Sequence, residues 1–535
     1  MKKYILGVIC CSSLLAFPAI SQQDEFSFDA EQYREDVRVL ASDKFGGRAP
    51  LSEGEALTLD YLVNSFKKIG LDPGYKGSYL QAVPLAEISA DQSMKLTIDG
   101  MSFSNGDQFT ARTQRIIDQV ELKDSELVFV GYGINAPEFG WNDYQGVDVK
   151  GKTVIVLVND PGFATQNVDL FKGNAMTYYG RWTYKYEEAA RQGAASVFIV
   201  HETDPAGYGW GVVQNSNTGS KFTLIDDNNN LGQVGVMGWV QHDVAKDIFA
   251  KADLNYEDLK LAASKSDFKA IDLKMKANLV LKNSIVKAES YNVVAKLSGS
   301  NKSNKSDETL VMHAHWDHLG TKLDAAGKKQ IFNGAVDNAS GVAGVLALAK
   351  AFKAKADKAP FKRDILFTSF TAEETGLIGA QHFALNPPVP TKDIVAFLNI
   401  DGMNVNDGVD YILGYGQGVS ELESYLKDAS TGLKRHVKAD PRPQNGLMYR
   451  SDHFALAQQG VPGLLFMSLG DTDPDYIAHK YHKGQDDYDS TWSLGGVRQD
   501  LQLIGDILSR LANNEDWPRW LEDSDFKARR SEDGH

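Results

Sequence analysis

Residues 309–316 read TLVMHAHW, an apolar run that ends among histidines. Three further apolar runs follow it: DILFTSFTAEE at 364–374, IVAFLNID at 394–401 and GLLFMSL at 463–469. Segments with helical spacing separate these runs, at 341–355, 376–385, 452–459 and 496–512. Nearly continuous apolar runs are typical of strands that helices cover on both faces. The sequence therefore predicts an α/β fold with a mixed, mostly parallel sheet sandwiched by helices.

The remaining segments of the chain have different hydrophobic patterns. From about 121 to 284, short strand-like runs such as TVIVLVND alternate with Gly- and Asn-rich connections, which indicates a β-rich insert. We therefore expect a discontinuous main domain at 22–120 and 285–515, interrupted by the insert at 121–284. The charged residues 516–535 predict a C-terminal tail that forms a surface helix or a frayed end.

The N-terminus, MKKYILGVICCSSLLAFPAIS, has the basic start, apolar centre and small-residue ending of a signal peptide. We predict that residues 1–21 are this peptide, with cleavage near Ser21. Both cysteines, Cys10 and Cys11, lie inside it, so the cleaved chain would contain no disulfide. No other apolar run is long enough for a stable membrane span. These features predict a secreted or periplasmic location.

The composition excludes one class of partner. The 535 residues include 71 acidic and 56 basic side chains, and the formal net charge is −15. Because a nucleic-acid-binding face needs clustered Lys and Arg, we expect no nucleic-acid partner. The composition leaves the oligomeric state open.

One stretch imitates a phosphate-binding loop. Residues 146–153, GVDVKGKT, fit the pattern G-x-x-x-x-G-K-[ST]. A phosphate-binding loop follows a strand and opens a helix, whereas here a loop precedes the pattern and a β-branched run follows it. We interpret 146–153 as a turn that leads into a buried strand.

Ionisable side chains follow the predicted strands of the main domain. HAHWDH ends the first run, TAEE the second and NID the third, while NGAVDNASG precedes a helix and AHKYHKGQDD lies later in the chain. Any one of these alone would be a surface histidine or a helix cap. Together they would share one sheet edge, where the carboxylates would repel one another without a cation. Two His with three Asp or Glu suit zinc, and three carboxylates with one hydroxide balance two divalent ions.

These motifs, in this order, resemble those of peptidase family M28, a family of co-catalytic zinc peptidases. The matching residues are His315 and Asp317 in HAHWDH, Asp337 in VDNASG, Glu373 and Glu374 in TAEETGLIG, Asp401 in NIDG, and His482 in YHKGQDD. The resemblance covers most of residues 28–512. The insert looks like a protease-associated (PA) domain, in which DVKGKTVIVLV resembles a common strand entry.

The resemblance implies a metal centre with two Zn²⁺ ions per chain, although the same ligands accept other divalent metals. Asp337 would bridge the two ions. His315 and Asp401 would complete one site, and Glu374 and His482 would complete the other.

The resemblance also implies catalytic roles. Glu373 would be the general base that takes a proton from the attacking water. Asp317 would accept the other imidazole N–H of the histidine ligand and fix its tautomer. Tyr449, two residues before Ser451, would support the tetrahedral oxyanion. The peptide bond after the bridging aspartate, Asp337–Asn338, would be cis.

The function implied is that of a secreted di-zinc exopeptidase, an aminopeptidase that acts on peptide substrates. A glutaminyl cyclase of the same fold is an alternative, but it would use a single zinc. A receptor-like binding protein would have lost metal ligands, and none is missing here.

A carboxypeptidase is a further alternative. It would need a cation near the metals to hold a substrate carboxylate, and Arg450 or Lys483 could supply one. An aminopeptidase needs an acidic group for the substrate ammonium, and the candidates are Asp473, Asp475 and Asp486. The sequence leaves this choice open.

Overall fold

The computed structural model describes residues 26–531, apart from 301, 306, 324–326, 417, 470–474 and 523. The predicted signal peptide at 1–21 lies outside these residues. Two sheets organise the described chain, and we call them the main sheet and the insert sheet.

The main sheet has the predicted strands at its centre. Thr309–His313 runs parallel to both Asp364–Ser369 and Ile394–Asn399, and Ile394–Asn399 runs parallel to Gly463–Met467. The sheet also contains Asp72–Pro73, Leu80–Ala90, Ser220–Leu224, part of Ile271–Leu297, Tyr411–Gly414 and His436–Ala439. Antiparallel pairs at its edges make the sheet mixed. The predicted fold class is confirmed.

Helices cover both faces of the main sheet. Alternate residues of one strand show this, because Leu310 and Met312 pack into one core and Val311 into another. The helices on the first core are Ala30–Leu40, Glu53–Ile69, Gly341–Ala356, Leu422–Gly432 and Gly495–Asn513. Those on the second are Ile378–Leu385 and His453–Ala457, and Lys527–Ser531 follows later in the chain. The helices predicted from spacing therefore form within a few residues of their predicted bounds.

The insert sheet is built mostly from the predicted insert. Its strands are Lys95–Ile98, Met101–Ser104, Phe109–Arg112, Gln119–Phe129, Thr153–Leu157, Ser196–His201, Val236–Gln241 and part of Ile271–Leu297. Its helices are Pro161–Thr165, Trp182–Arg191, Thr203–Ala206, Trp210–Asn217, His242–Lys251 and Tyr256–Ala263. Three strands precede residue 121, so this sheet extends beyond the predicted boundary, and the division into domains stays a prediction.

Residues 146–153, which match the phosphate-binding-loop pattern, form a turn before a strand, as the sequence predicted. Thr153–Leu157 is a fully buried strand that begins where a phosphate-binding loop would begin its helix. Small two-stranded sheets complete the list of strands, with Asn135–Ala136 against Trp141–Asn142 and Gly320–Leu323 against Lys329–Phe332.

A single strand of 27 residues, Ile271–Leu297, belongs to both sheets, and we call it the shared strand. Its first part pairs with Gln119–Phe129 in the insert sheet. Its second part pairs with Leu80–Ala90 and Asp364–Ser369 in the main sheet. The two sheets are therefore joined by continuous hydrogen-bonded backbone.

Within the predicted tail, the described residues 516–522 and 524–531 pack against the main domain, and Lys527–Ser531 forms a helix. Trp520 and Phe526 are buried, and Trp520 Nε1 donates to the carbonyl of Gly460 at 2.8 Å. Arg530 donates to the carbonyl of Ile394 at 3.1 Å. The charged composition of 516–535 concealed these aromatic anchors.

In the described part of the chain, no helix combines the length and apolar character that crossing a membrane requires.

Candidate metal centre

The carboxyl ends of the parallel strands bring the predicted ligands together. His315 follows Thr309–His313, and Glu373 and Glu374 follow Asp364–Ser369. Asp401 follows Ile394–Asn399, and Asp337 precedes helix Gly341–Ala356. Because these strands are parallel neighbours, their ends meet at one edge of the main sheet.

A first group of possible ligands consists of His315, Asp337 and Asp401. Nε2 of His315 lies 3.3 Å from Oδ1 of Asp337 and 3.4 Å from Oδ1 of Asp401. The ligand atoms of all three residues lie within 4.8 Å of one another. This spacing leaves room for one ion between them.

A second group shares Asp337 with the first. Nε2 of His482 lies 3.2 Å from Oδ2 of Asp337 and 3.0 Å from Oε2 of Glu374. The two oxygens of Asp337 therefore face different groups, as expected of a bridging ligand. All five side chains predicted as ligands converge on this edge.

His318 also belongs to the second group, although the sequence analysis assigned it no role. Its Nδ1 lies 2.6 Å from Oε1 of Glu374, and His318, Asp337 and Glu374 form a compact set of possible ligands. Nε2 of His318 is buried without a hydrogen-bond partner, and the close contact between Nδ1 of His318 and Oε1 of Glu374 does not have hydrogen-bond geometry. Buried polar atoms in this condition fit an ion that completes their coordination. The sequence signal that could have identified His318 is its position directly after Asp317.

The charge of the centre favours a cation. Burial would lower the pKa of His482, but the charges of Glu374 and Asp337 raise it to about 10. Burial would likewise lower the pKa of His315, which Glu373 and neighbouring carboxylates raise well above its usual value. Excess negative charge with nitrogen and oxygen donors suits a divalent metal such as zinc.

Asp486 holds the backbone around the bridging aspartate. Its Oδ1 accepts the N–H of Val336 at 2.9 Å, and its Oδ2 accepts the N–H of Asp337 at 3.0 Å. The peptide bond Asp337–Asn338 is cis, as the family resemblance implied. Asp486 is therefore engaged with backbone and is not the free acidic group considered for a substrate ammonium.

Asp317 supports the glutamate pair more directly than it supports the histidine ligand. Its Oδ1 accepts the N–H of Glu373 at 3.0 Å, and its Oδ2 that of Glu374 at 3.4 Å. Its Oδ1 lies 3.7 Å from Nδ1 of His315, which is 3.1 Å from the main-chain oxygen of Asp317. A bend with positive φ at Ala372 turns both glutamates toward the centre.

Residues 292–503 match the sequence profile of Peptidase family M28. These residues form a peptidase family M28 domain. A vacuolar membrane protease from Candida glabrata is 31% identical over 143 residues, 27% of this chain and 13% of that protein. A probable zinc metalloprotease from Pyrenophora teres f. teres is 37% identical over 110 residues, 20% of this chain and 22% of that protein. The chain thus spans less than a quarter of either curated relative.

One solved structure, an aminopeptidase from Aneurinibacillus sp. strain AM-1, has the same fold. Its TM-score is 0.51 at 20% identity, and the match covers 91% of this chain and 95% of that one. This match confirms the predicted fold class, and the profile match over residues 292–503 confirms the predicted family, which is a family of peptidases.

The predicted secreted or periplasmic location is contradicted. The relative from Candida glabrata is a vacuolar membrane protease. An apolar leader predicts transfer across a membrane, and its pattern does not encode the compartment in which a chain ends.

Glu373 lies beside the ligands of the M28 domain. Burial raises the pKa of its carboxyl well above the usual value, and the charges of Asp401, Asp452 and Glu374 raise it further, while His315 opposes them. A carboxylate with a raised pKa accepts protons more readily, which suits the predicted general base.

The structure directs Tyr449 away from the predicted oxyanion role. Its hydroxyl donates to Oδ2 of Asp525 at 3.1 Å, and its ring packs against Phe454. Tyr481 instead adjoins the metal centre of the M28 domain, because its ring stacks on His482 with centroids 3.9 Å apart. Burial and the charge of Asp337 raise the pKa of Tyr481 well above its usual value, so the hydroxyl stays protonated. Sequence reasoning missed Tyr481, although it directly precedes a predicted ligand.

Other side chains considered for the charged end of a substrate lie apart. Asp475 is exposed and lies 3.5 Å from His479. Lys483 is exposed and donates to the carbonyl of Ala478. Asp473 lies outside the described residues.

Proposed function

We propose that this chain is a di-zinc exopeptidase that removes N-terminal residues from peptides. The observation that carries the proposal is the pair of ligand groups that share Asp337. A glutaminyl cyclase would need one metal site, and the second group supports a peptidase instead.

The first ion would be held by His315, Asp337 and Asp401, and the second by Asp337, Glu374 and His482, with His318 also within reach. Divalent ions bound there polarise the scissile carbonyl and lower the pKa of a bound water.

The protein side chains handle the protons. Glu373 takes a proton from the attacking water and delivers it to the leaving amine. Asp317 keeps the Glu373 backbone in place through its N–H. The protonated hydroxyl of Tyr481 donates to the oxygen that gains negative charge.

The excess of carboxylate groups at the metal centre supports a substrate with a free N-terminal ammonium group. Asp401 remains partly open, with 24% of its side chain exposed, and Glu373 is half-buried. A free ammonium group is attracted to such a region, whereas a blocked amine is not.

The decisive experiment replaces Glu373 with Gln. Turnover of amino-acid anilides should fall by about a thousandfold, because a positioned acid–base group is lost. Bound metal, measured by atomic absorption, should stay at two ions per chain. The control is Glu35→Gln, since Glu35 is exposed and forms an ion pair with Arg38, away from the metal centre. Unchanged turnover in Glu373→Gln, or hydrolysis that persists after chelation, would refute the proposal.

A further inference from the structure

Arg181 of the insert carries a buried charge without a partner. It lies directly before helix Trp182–Arg191 and is only 8% exposed. Its Nε has no hydrogen bond, and across the described residues its guanidinium has no ion pair or hydrogen bond.

Arg450 lies on the segment of the M28 domain that faces this part of the insert. The backbone of Met176 donates to Pro443 at 3.1 Å, and the ring of Tyr178 lies 6.4 Å from that of Tyr449. Arg450 is exposed, and its guanidinium also lacks an ion pair within the described chain. Burial, and next the charge of Arg450, lower the pKa of Arg181 to about 10, which agrees with the proximity of the two segments.

The segment that carries Arg450 adjoins the metal centre. Oγ of Ser451, the next residue, accepts a hydrogen bond from Nδ2 of Asn399. Asn399 ends the strand after which the predicted ligand Asp401 follows. Arg450 therefore lies near the edge of the main sheet where the predicted ligands converge.

The other buried arginines among the described residues each have a hydrogen-bond or ion-pair partner, although Nε of Arg435 has none. Arg48 donates to four carbonyl oxygens at 2.6–2.9 Å. Arg363 pairs with Glu308 at 2.7 Å, and Arg435 pairs with Asp500 at 2.8 Å. A buried charge without a partner is costly, so an unpaired guanidinium beside a reaction centre points to an anion that arrives with the substrate.

We propose that Arg181 and Arg450 form a subsite for a carboxylate of the substrate. The inference rests on the proposed peptidase function and narrows its substrate class. A carboxylate matches the planar donor fork of a guanidinium and is bound by charge-assisted hydrogen bonds. It would come either from an acidic side chain at the N-terminus or from the C-terminus of a short peptide. The insert thereby contributes a residue to substrate selection.

Two pairs of matched substrates separate these sources. Asp-anilide and Asn-anilide differ only in a side-chain carboxylate, and Ala-Ala and Ala-Ala-amide differ only in a terminal one. We expect wild-type kcat/KM to favour the carboxylate member of one pair. Arg181→Gln and Arg450→Gln should each reduce that preference by about tenfold or more. Arg191→Gln is the matched control, because Arg191 lies on the adjoining helix and pairs with Glu188 at 2.7 Å.

A binding measurement keeps this inference separate from the proposed function. Calorimetry on Glu373→Gln with the same four compounds reports carboxylate preference without turnover. If none is hydrolysed by wild type but the preference in binding depends on both arginines, the peptidase proposal fails and the subsite stands. If Arg181→Gln does not fold, Arg450→Gln alone tests the subsite, because Arg450 is exposed. Equal affinity and equal kcat/KM within both pairs, or a preference that survives both substitutions, overturns the subsite.

Discussion

Asp486 positions Asp337, the predicted bridging ligand, through the backbone. It accepts N–H groups from Val336 and Asp337, and the hydroxyl of Tyr476 lies 3.3 Å from its Oδ2. The sequence suggested Asp486 only as a group for the substrate ammonium, and it could not show this backbone contact because the partners lie 149 and 150 residues earlier in the chain. Its role depends on the fold.

Replacing Asp486 with Asn should therefore weaken metal binding without removing a ligand. The amide offers one acceptor oxygen where the carboxylate offers two, so one N–H beside Asp337 loses its partner. We expect the affinity for zinc to fall by about 10–100-fold, measured by competition with a chelator. The exposed Asp489 provides the control, as Asp489→Asn. Equal zinc affinity in the wild type, Asp486→Asn and Asp489→Asn would show that the segment carrying Asp337 keeps its position without Asp486.

The sequence predicted that the five candidate ligands and Glu373 would lie together, because strand ends of a parallel sheet meet and the motifs resemble those of family M28. It missed His318 and Tyr481 because each stands next to a predicted residue and acquires its role only through packing. Tyr449 was wrongly expected at the oxyanion, since its hydrogen bond to Asp525 depends on the C-terminal segment.

Among the elements, the helices and central strands followed their hydrophobic patterns closely. Helix Gly341–Ala356 was predicted at 341–355, and Gly495–Asn513 at 496–512. The short strands from Lys95 to Arg112 were not recognised as part of the insert sheet, because the boundary was placed where the strand-like pattern becomes evident, near residue 121. The prediction for residues 516–535 rested on their charged composition and overlooked the aromatic residues Trp520 and Phe526.

The C-terminal segment should contribute strongly to stability. Trp520 is buried and hydrogen-bonded to Gly460, so Trp520→Ala loses packing and leaves a cavity. We expect the free energy of unfolding to fall by about 3–5 kcal/mol in urea titrations. Leu521 is 37% exposed, and Leu521→Ala is the control with little expected change. A loss from Trp520→Ala no larger than that of the control would mean that the segment packs only weakly.

For the whole molecule, the shared strand should link the stability of the two sheets. Peptides covering 276–282 and 292–297 should show amide hydrogen exchange with the same opening free energy, because unzipping either half disturbs one continuous ladder. Hydrogen exchange followed by mass spectrometry at a series of urea concentrations measures these opening free energies. The two-stranded hairpin Gly320–Leu323 with Lys329–Phe332 should exchange sooner. Earlier opening of 276–282 alone would show that the insert unfolds independently.

The shared strand also affects how the proposed carboxylate subsite meets a substrate. Its backbone pairing continues from the insert sheet into the main sheet without a break, so it is a poor hinge. If the two sheets keep their positions when a substrate binds, the spacing of Arg181 and Arg450 would stay constant. Selection would then depend on whether the substrate carries a carboxylate at the matching distance from the scissile bond.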